Sequence, residues 1–458
     1  SCSAYRTTLR EEDFARVIAE WRAWRPPASV ERELKLPLSP TYIVAVAGPR
    51  QAGKTYRMFQ LVRELEAAGI PRGNILYVNF EHERLRGLDA RDLEDIMKVY
   101  YGALKPDGRF PIYLLLDEVQ LVRDWDRWVR RMHDSGGYRI YVTGSTSKMT
   151  SAEIADALRG RSVSYEIFPF SFREFLRARG LEAEARDIDV TSHLDERGRI
   201  LGALEEYLRF GGYPRATLTE DPEERRRVLL AHYDAIFYRD LVDRCGLDPD
   251  LLDVALSSII SSPAGPLSAS KLCNHVRSTG IGCSKAALLK YLECARQSYL
   301  VLLSEIHSRS VRNRRQYPRK AYVVDNGIVT ARYPEVAERM GVLMENAVAV
   351  ELARRGFELR YWREYGRREG REVDFVIVGR GRVRQLVQVT HAVSRSEIRD
   401  REIEALEAAS AELGCRESLV ITWDHWGREL IGDLEVRYVP LWAWLLDSGE
   451  PERGPAPN

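Results

Sequence analysis

Residues Gly48 to Thr55 read G-P-R-Q-A-G-K-T. The run Tyr42 to Ala47 before them is apolar and reads as a buried strand, while Met58, Phe59, Leu61, Val62 and Leu65 after them recur at helical spacing. A strand that enters a glycine loop and leaves it as a helix has the context of a phosphate-binding loop. The glycines let backbone N–H groups approach an anion without a Cβ in the way, and the helix N-terminus adds partial positive charge. Gly48, Pro49, Arg50, Gln51, Ala52, Gly53, Lys54, Thr55 and Tyr56 are therefore expected to wrap a nucleoside triphosphate. Lys54 would reach its β and γ phosphates and Thr55 would hold Mg²⁺, so the expected ligands are ATP and Mg²⁺.

The sequence around this loop alternates strands and helices. Strand-like runs fall at 42–47, 75–80, 112–117, 139–144 and 163–168, which predicts a parallel sheet with helices on both faces. The run Ile112 to Leu116 is apolar and ends in Asp117-Glu118. Carboxylates leaving a buried strand emerge at its C-terminal edge; Asp117 would serve Mg²⁺ and Glu118 would orient or polarise the attacking water. The next strand ends in Thr143-Gly144-Ser145; it resembles the strand of additional-strand ATPases whose tip carries a polar sensor of the γ-phosphate, which implies that role for Thr143 or Ser145, Ser145 being preferred. Asn79 and Glu81 end the second strand near the same edge.

At 458 residues the chain exceeds one core, and 45% hydrophobic against 30% charged residues describes a soluble globular protein. The formal charge of +1 confines any nucleic-acid surface to a local patch. The absence of an 18-residue apolar run and of a signal peptide gives a cytoplasmic expectation with no membrane partner. The six cysteines form no C-x-x-C and lie beside no suitably spaced histidine pair, which favours buried thiols over zinc. Cys273, Cys283 and Cys294 are close enough in sequence for one disulfide.

Taken in order, Gly48–Thr55, Leu116-Asp117-Glu118-Val119-Gln120, Thr143-Gly144-Ser145, Leu158-Arg159-Gly160-Arg161, Pro169-Phe170-Ser171-Phe172-Arg173-Glu174-Phe175, Phe210-Gly211-Gly212-Tyr213-Pro214 and Tyr238-Arg239-Asp240-Leu241 resemble AAA+ ATPases of the archaeal-ATPase type. The resemblance spans nearly the whole chain. It implies a helical lid over the nucleotide, an arginine finger at Arg159 or Arg161, and a C-terminal domain similar to restriction endonucleases.

Between 250 and 325 three helical runs precede two strand-like runs, the pattern of a winged helix. The turn between those strands carries Arg309, Arg312, Arg314, Arg315, Arg319 and Lys320 with no acid. Such a cluster at a wing tip suits DNA phosphates, with Lys285 on the recognition helix. From Arg332 onward the chain resembles PD-(D/E)xK nucleases. Glu345 on a helix and Asp374 on a strand could keep a weak metal site, but Thr390 stands where an active member has lysine, which argues against cleavage. Gln388 precedes it by two.

The expected fold is α/β: an N-terminal helical segment (1–38), an AAA+ P-loop sheet (39–198), its helical lid (199–249), a winged helix (250–330), a restriction-endonuclease-like α/β domain (331–448) and a disordered tail (449–458). The expected activity is Mg²⁺-dependent ATP hydrolysis whose nucleotide state controls DNA engagement. The competing readings are a nucleotide-operated switch for a protein partner and an ATP-dependent nuclease. A homo-oligomer would let the arginine finger act between chains.

Overall fold

The structure, a computed structural model, describes residues 2–144, 151–182, 194–308, 310, 317–364 and 370–447. The chain divides into two compact units, Ser1–Ile167 and Phe168–Asn458. Among the described residues no helix is long and apolar enough to cross a membrane.

The first unit is built on five strands, β1 (Ile43–Ala47), β2 (Ile75–Asn79), β3 (Ile112–Asp117), β4 (Tyr138–Thr143) and β5 (Ser162–Glu166). All pairings are parallel, in the order β2-β3-β4-β1-β5. β4 therefore inserts between β1 and β3. Every residue of β1 and β3 is buried, as apolar runs in a sheet covered on both faces must be. Helix α1 (Cys2–Ala23) ends ahead of Pro26-Pro27 and buries Phe14, Ile18 and Trp21. Helix α2 (Lys54–Ala67) buries Met58, Leu61, Val62 and Leu65 in the same core. Helix α3 (Ala90–Leu104) starts at a capping box in which Asp89 and Asp92 satisfy each other's backbone N–H groups.

In the second unit, the helices Leu194–Phe210, Pro222–Ala235 and Pro249–Ile260 share one apolar core with Met340–Arg354 and Leu441–Leu446. Segment 199–249, expected as a lid, thus contributes to the second unit's own core. A π-helical stretch, Ile236–Asp243, continues Pro222–Ala235. The glycines of Phe210-Gly211-Gly212-Tyr213-Pro214 answer to close contacts. A Cβ on Gly211 would lie 1.8 Å from Asp325 Oδ1, and one on Gly212 would lie 2.2 Å from the Phe170 carbonyl oxygen. Asp325 accepts hydrogen bonds from the backbone N–H groups of Gly212 (2.7 Å) and Gly327 (2.8 Å). Burial pushes its carboxyl up to about 7 against the pull of these donors.

Helices Pro249–Ile260, Ala269–Ser278 and Lys285–Gln297 precede β7 (Val301–Ile306) and β8 (Arg319–Val323), which pair antiparallel beside the short β6 (Pro266–Leu267). β9 (Arg360–Arg363) and β10 (Glu372–Val373) extend that sheet. A further sheet runs β11-β12-β13-β15-β14, from β11 (Phe375–Gly379), β12 (Arg382–Val389), β13 (Glu417–Thr422), β14 (Gly427–Ile431) and β15 (Leu434–Pro440). Asp374, expected within a strand, is instead the single residue between β10 and β11, at which the chain leaves one sheet and enters the other. Cys273, Cys283 and Cys294 are free thiols, so the disulfide considered from their spacing is not formed.

Candidate functional site

The parallel registers bring three strand ends to one edge. Val46 is opposite Thr143 and Asn79 is opposite Asp117, so Gly48, Asp117 and Thr143 emerge together. Gly48 has φ +149°, and a Cβ there would lie 2.1 Å from the Ile167 carbonyl oxygen, which admits only glycine. Gly53, at φ +101°, caps α2 from the left-handed region. Its helix opens on Lys54 and Thr55, and the first N–H groups of a helix are the ones without intrahelical partners.

Lys54 is buried, and its Nζ donates to the carbonyls of Gly48 (3.0 Å) and Pro49 (2.9 Å) on its own loop. These are neutral acceptors, which a phosphate oxygen outcompetes. Arg32 is also buried and braces the loop from below, donating from Nη1 to the Ala52 carbonyl at 2.6 Å. Tyr56 follows Thr55 half-exposed.

Asp117 is completely buried, yet both its oxygens are engaged. Thr55 Oγ1 (2.7 Å) and the Tyr77 hydroxyl (2.8 Å) donate to Oδ2, and the Thr143 hydroxyl donates to Oδ1. Thr143 also accepts from the Glu118 N–H at 3.1 Å. Glu118 itself sits at φ +56°, a region that costs a non-glycine residue about 1 kcal/mol or more. This kink re-aims its carboxylate, which accepts from the Gln120 side-chain amide. Mg²⁺ takes oxygen donors, and Thr55 and Asp117 supply a hydroxyl and a carboxylate already in contact beside the loop. These two residues fit the ion, which would neutralise charge on phosphate oxygens there.

Ser145 lies outside the described residues. Arg159 and Arg161 lie in the turn that leads into β5. The Arg161 carbonyl accepts from the N–H of Ile43, at the start of β1, so both arginines stand at the edge opposite the loop, roughly 15 Å away for a strand of this length. Arg161 forms a two-pronged ion pair with Asp134 (2.8 and 3.0 Å), which holds that carboxyl down to about 2. Neither arginine touches the loop of its own chain.

A second polar centre lies in the second unit. Lys320 on β8 is 3% exposed, and its Nζ meets Glu345 (2.6 Å), Glu372 (3.0 Å) and Asp374 (3.3 Å). Its expected place on a DNA-facing wing tip is corrected: strand alternation turns it inward, away from its basic neighbours. Burial alone would lower the Lys320 ammonium, but Glu345 and the other acidic groups around it hold its pKa well above the usual lysine range. Burial, then Glu345, pushes Asp374 up to about 8, although Lys320 and the Val389 N–H pull it down. The Tyr322 hydroxyl donates to Glu345 at 2.9 Å, and Gln388 accepts from the Asp374 N–H at 3.3 Å. Thr390 turns to Glu402 instead. The centre thus contains a lysine, supplied by another strand than the one bearing Thr390. Glu372 was also missed; its place two residues before Asp374 was the available signal.

Of the remaining basic residues, Lys285 is exposed at the start of its helix and Arg319 pairs with Glu305 at 3.2 Å. Arg309, Arg312, Arg314 and Arg315 lie outside the described residues.

An AAA domain family matches residues 40–176, and a domain of unknown function (DUF8612) matches residues 201–335. The uncharacterized protein MJ1544 of Methanocaldococcus jannaschii is 32% identical over 424 residues, covering 91% of each chain. An uncharacterized protein of Haemophilus influenzae is 27% identical over 337 residues, 73% of this chain and 79% of that one. Among solved structures, the Walker-type ATPase PABY2304 of Pyrococcus abyssi aligns over 70% of this chain and 94% of its own at 15% identity, with a TM-score of 0.37. The Aeropyrum pernix ORC1 protein, solved in complex with DNA, aligns over 72% and 93% at 15% identity, with a TM-score of 0.27. The glycine loop, the buried carboxylate and the parallel sheet all fall within the matched AAA segment, and with nearly a third of its residues shared along nine-tenths of MJ1544 this chain belongs to that protein's family, one of AAA-type P-loop ATPases.

Proposed function

We propose that the protein hydrolyses ATP with Mg²⁺ and that its nucleotide state governs engagement of DNA by residues 250–330 and the C-terminal domain. The observation that carries the hydrolytic part is the contact of Thr55 with Asp117 beside a loop-bound Lys54. Lys54 would take the β and γ phosphates, Thr55 and Asp117 the ion, Thr143 would hold Asp117, and Glu118 would orient water at the γ-phosphate. Ser145 keeps its proposed sensor role. Standing opposite the loop of their own chain, Arg159 and Arg161 suit the nucleotide of a neighbouring copy, and a homo-oligomer goes with this reading. The DNA part is supported by exposed Lys285 and by Arg309, Arg312, Arg314 and Arg315 in the sequence between β7 and β8, with Arg319 opening β8.

Lys54→Ala should weaken ATP binding about a hundredfold, as loss of a charged phosphate contact does. Calorimetry checks it, and unchanged affinity would remove the loop from nucleotide binding. In the intact protein, DNA should stimulate turnover, with an effect that fades steeply as salt rises from 50 to 200 mM. No DNA binding in low salt would favour the protein-partner switch.

One observation favours nuclease action as a second reading. Lys320 supplies the charge that Thr390 cannot, beside Glu345, Glu372 and Asp374. These carboxylates fit a divalent cation, whose role would be to activate water and steady a phosphate. Metal-dependent cleavage of DNA that disappears in Asp374→Ala would establish it. Equal products from both proteins would dismiss it.

A further inference from the structure

We infer that Tyr77 is a positioning residue for the Asp117 carboxylate, so that the ion-binding oxygen is held in place from the N-terminal helix. The inference rests on the reading of Gly48–Thr55 and Asp117 as a Mg²⁺–nucleotide site.

Two hydroxyls donate to Asp117 Oδ2, from Thr55 and from Tyr77. Their situations differ. Thr55 stands on the loop's helix and is the oxygen donor that the ion itself requires. Tyr77 comes from β2, where it is opposite Leu115, two residues short of Asp117 on the neighbouring strand. Its bond to Oδ2 does not depend on the loop.

The ring behind that hydroxyl is fixed on several sides. Its centroid lies 5.6 Å from Trp21 and 5.2 Å from Phe59. Phe59 in turn meets Trp24 at 4.6 Å and Tyr56 at 5.6 Å. Trp21 is pinned by its indole N–H on the Ile75 carbonyl (2.8 Å) and by the Arg72 guanidinium 3.6 Å over its ring. Arg72 also donates to the Trp21 and Trp24 carbonyls, at 3.2 and 3.0 Å. A rotamer change at Tyr77 would disturb α1, α2 and β2 together. Aromatic rings serve packing in most cores, but this one ends in a hydroxyl on the buried carboxylate that faces the loop. A carboxylate held in one orientation before the ion arrives binds it without a further ordering cost.

The test separates ion binding from nucleotide binding. Tyr77→Phe keeps the ring and its packing but removes the donor. With EDTA present, ATP affinity measured by calorimetry should stay within about twofold of the unaltered protein. The Mg²⁺ midpoint, titrated into ATP-saturated protein, should rise about tenfold, the usual effect of losing one hydrogen bond to a charged group. An unchanged midpoint overturns the inference. Should Tyr77→Phe fail to fold, Trp24→Leu carries the test, since it keeps the hydroxyl but loosens the ring through Phe59. Its midpoint should rise about twofold to threefold, and no rise again overturns the inference. If the unaltered protein shows no Mg²⁺-dependent ATP binding, the nucleotide reading itself falls and takes this inference with it.

Discussion

Glu118→Gln should leave ATP bound and lower turnover by about a thousandfold, the scale on which a positioned general base acts. The backbone kink at Glu118 and the Asp117–Thr143 contacts do not involve its carboxylate, so nucleotide and ion binding should survive the change. Glutamine keeps the length and polarity of the side chain but cannot accept a proton from water. Single-turnover hydrolysis alongside calorimetric ATP affinity checks both halves. Normal hydrolysis would end the proposed role of Glu118, and lost binding would make it part of the nucleotide site.

Lys320→Met should destabilise the second unit by about 3–5 kcal/mol, the cost of stranding buried charges by removing one partner. The methionine matches much of the lysine stem but leaves Glu345, Glu372 and Asp374 without their common cation. The deficit should depend on pH. Asp374 binds its proton more tightly in the folded state, up to about 8, than in the unfolded chain. Its contribution to stability is therefore fully present below about pH 4 and is lost as pH rises through about 8. Lys320 pulls that value down, so its removal carries the loss to higher pH. Urea unfolding at pH 5.5 and pH 8.5 should show the larger deficit at the higher pH. Equal deficits would mean that the Lys320 charge does not act through the titration of Asp374.

The first unit was largely legible in the sequence because its signals are local. β1 and β3 are short apolar runs whose ends carry chemistry that must face one edge, so the loop and Asp117 could be brought together from order alone. Tyr77 gave no such sign: an aromatic residue on a strand reads as core, and only the register shows its hydroxyl reaching the next strand's carboxylate. Lys320 was hidden for a related reason. A motif search looks for lysine two residues beyond an acid on the same strand, whereas this one arrives from β8, far ahead in the chain. It also sat in a basic run, and charge density along a sequence does not say which side of a strand a residue faces. The two glycines at 211 and 212 could be flagged as a break in a helical pattern, but their cause, the pressure of Asp325 and Phe170, is non-local.

The strand order β2-β3-β4-β1-β5 has a consequence for the order of events on the ribosome. β1 is made first, yet both strands that flank it are made last, about a hundred residues later. At roughly 5–20 residues per second, the nascent loop spends about 5–20 s attached to an unpaired strand. β2 and β3 can meet earlier, but the edge that gathers Gly48, Asp117 and Thr143 cannot assemble until β4 has inserted between β3 and β1. On the proposed reading, a nucleotide would find its site incomplete on the growing chain until β4 has been made and inserted.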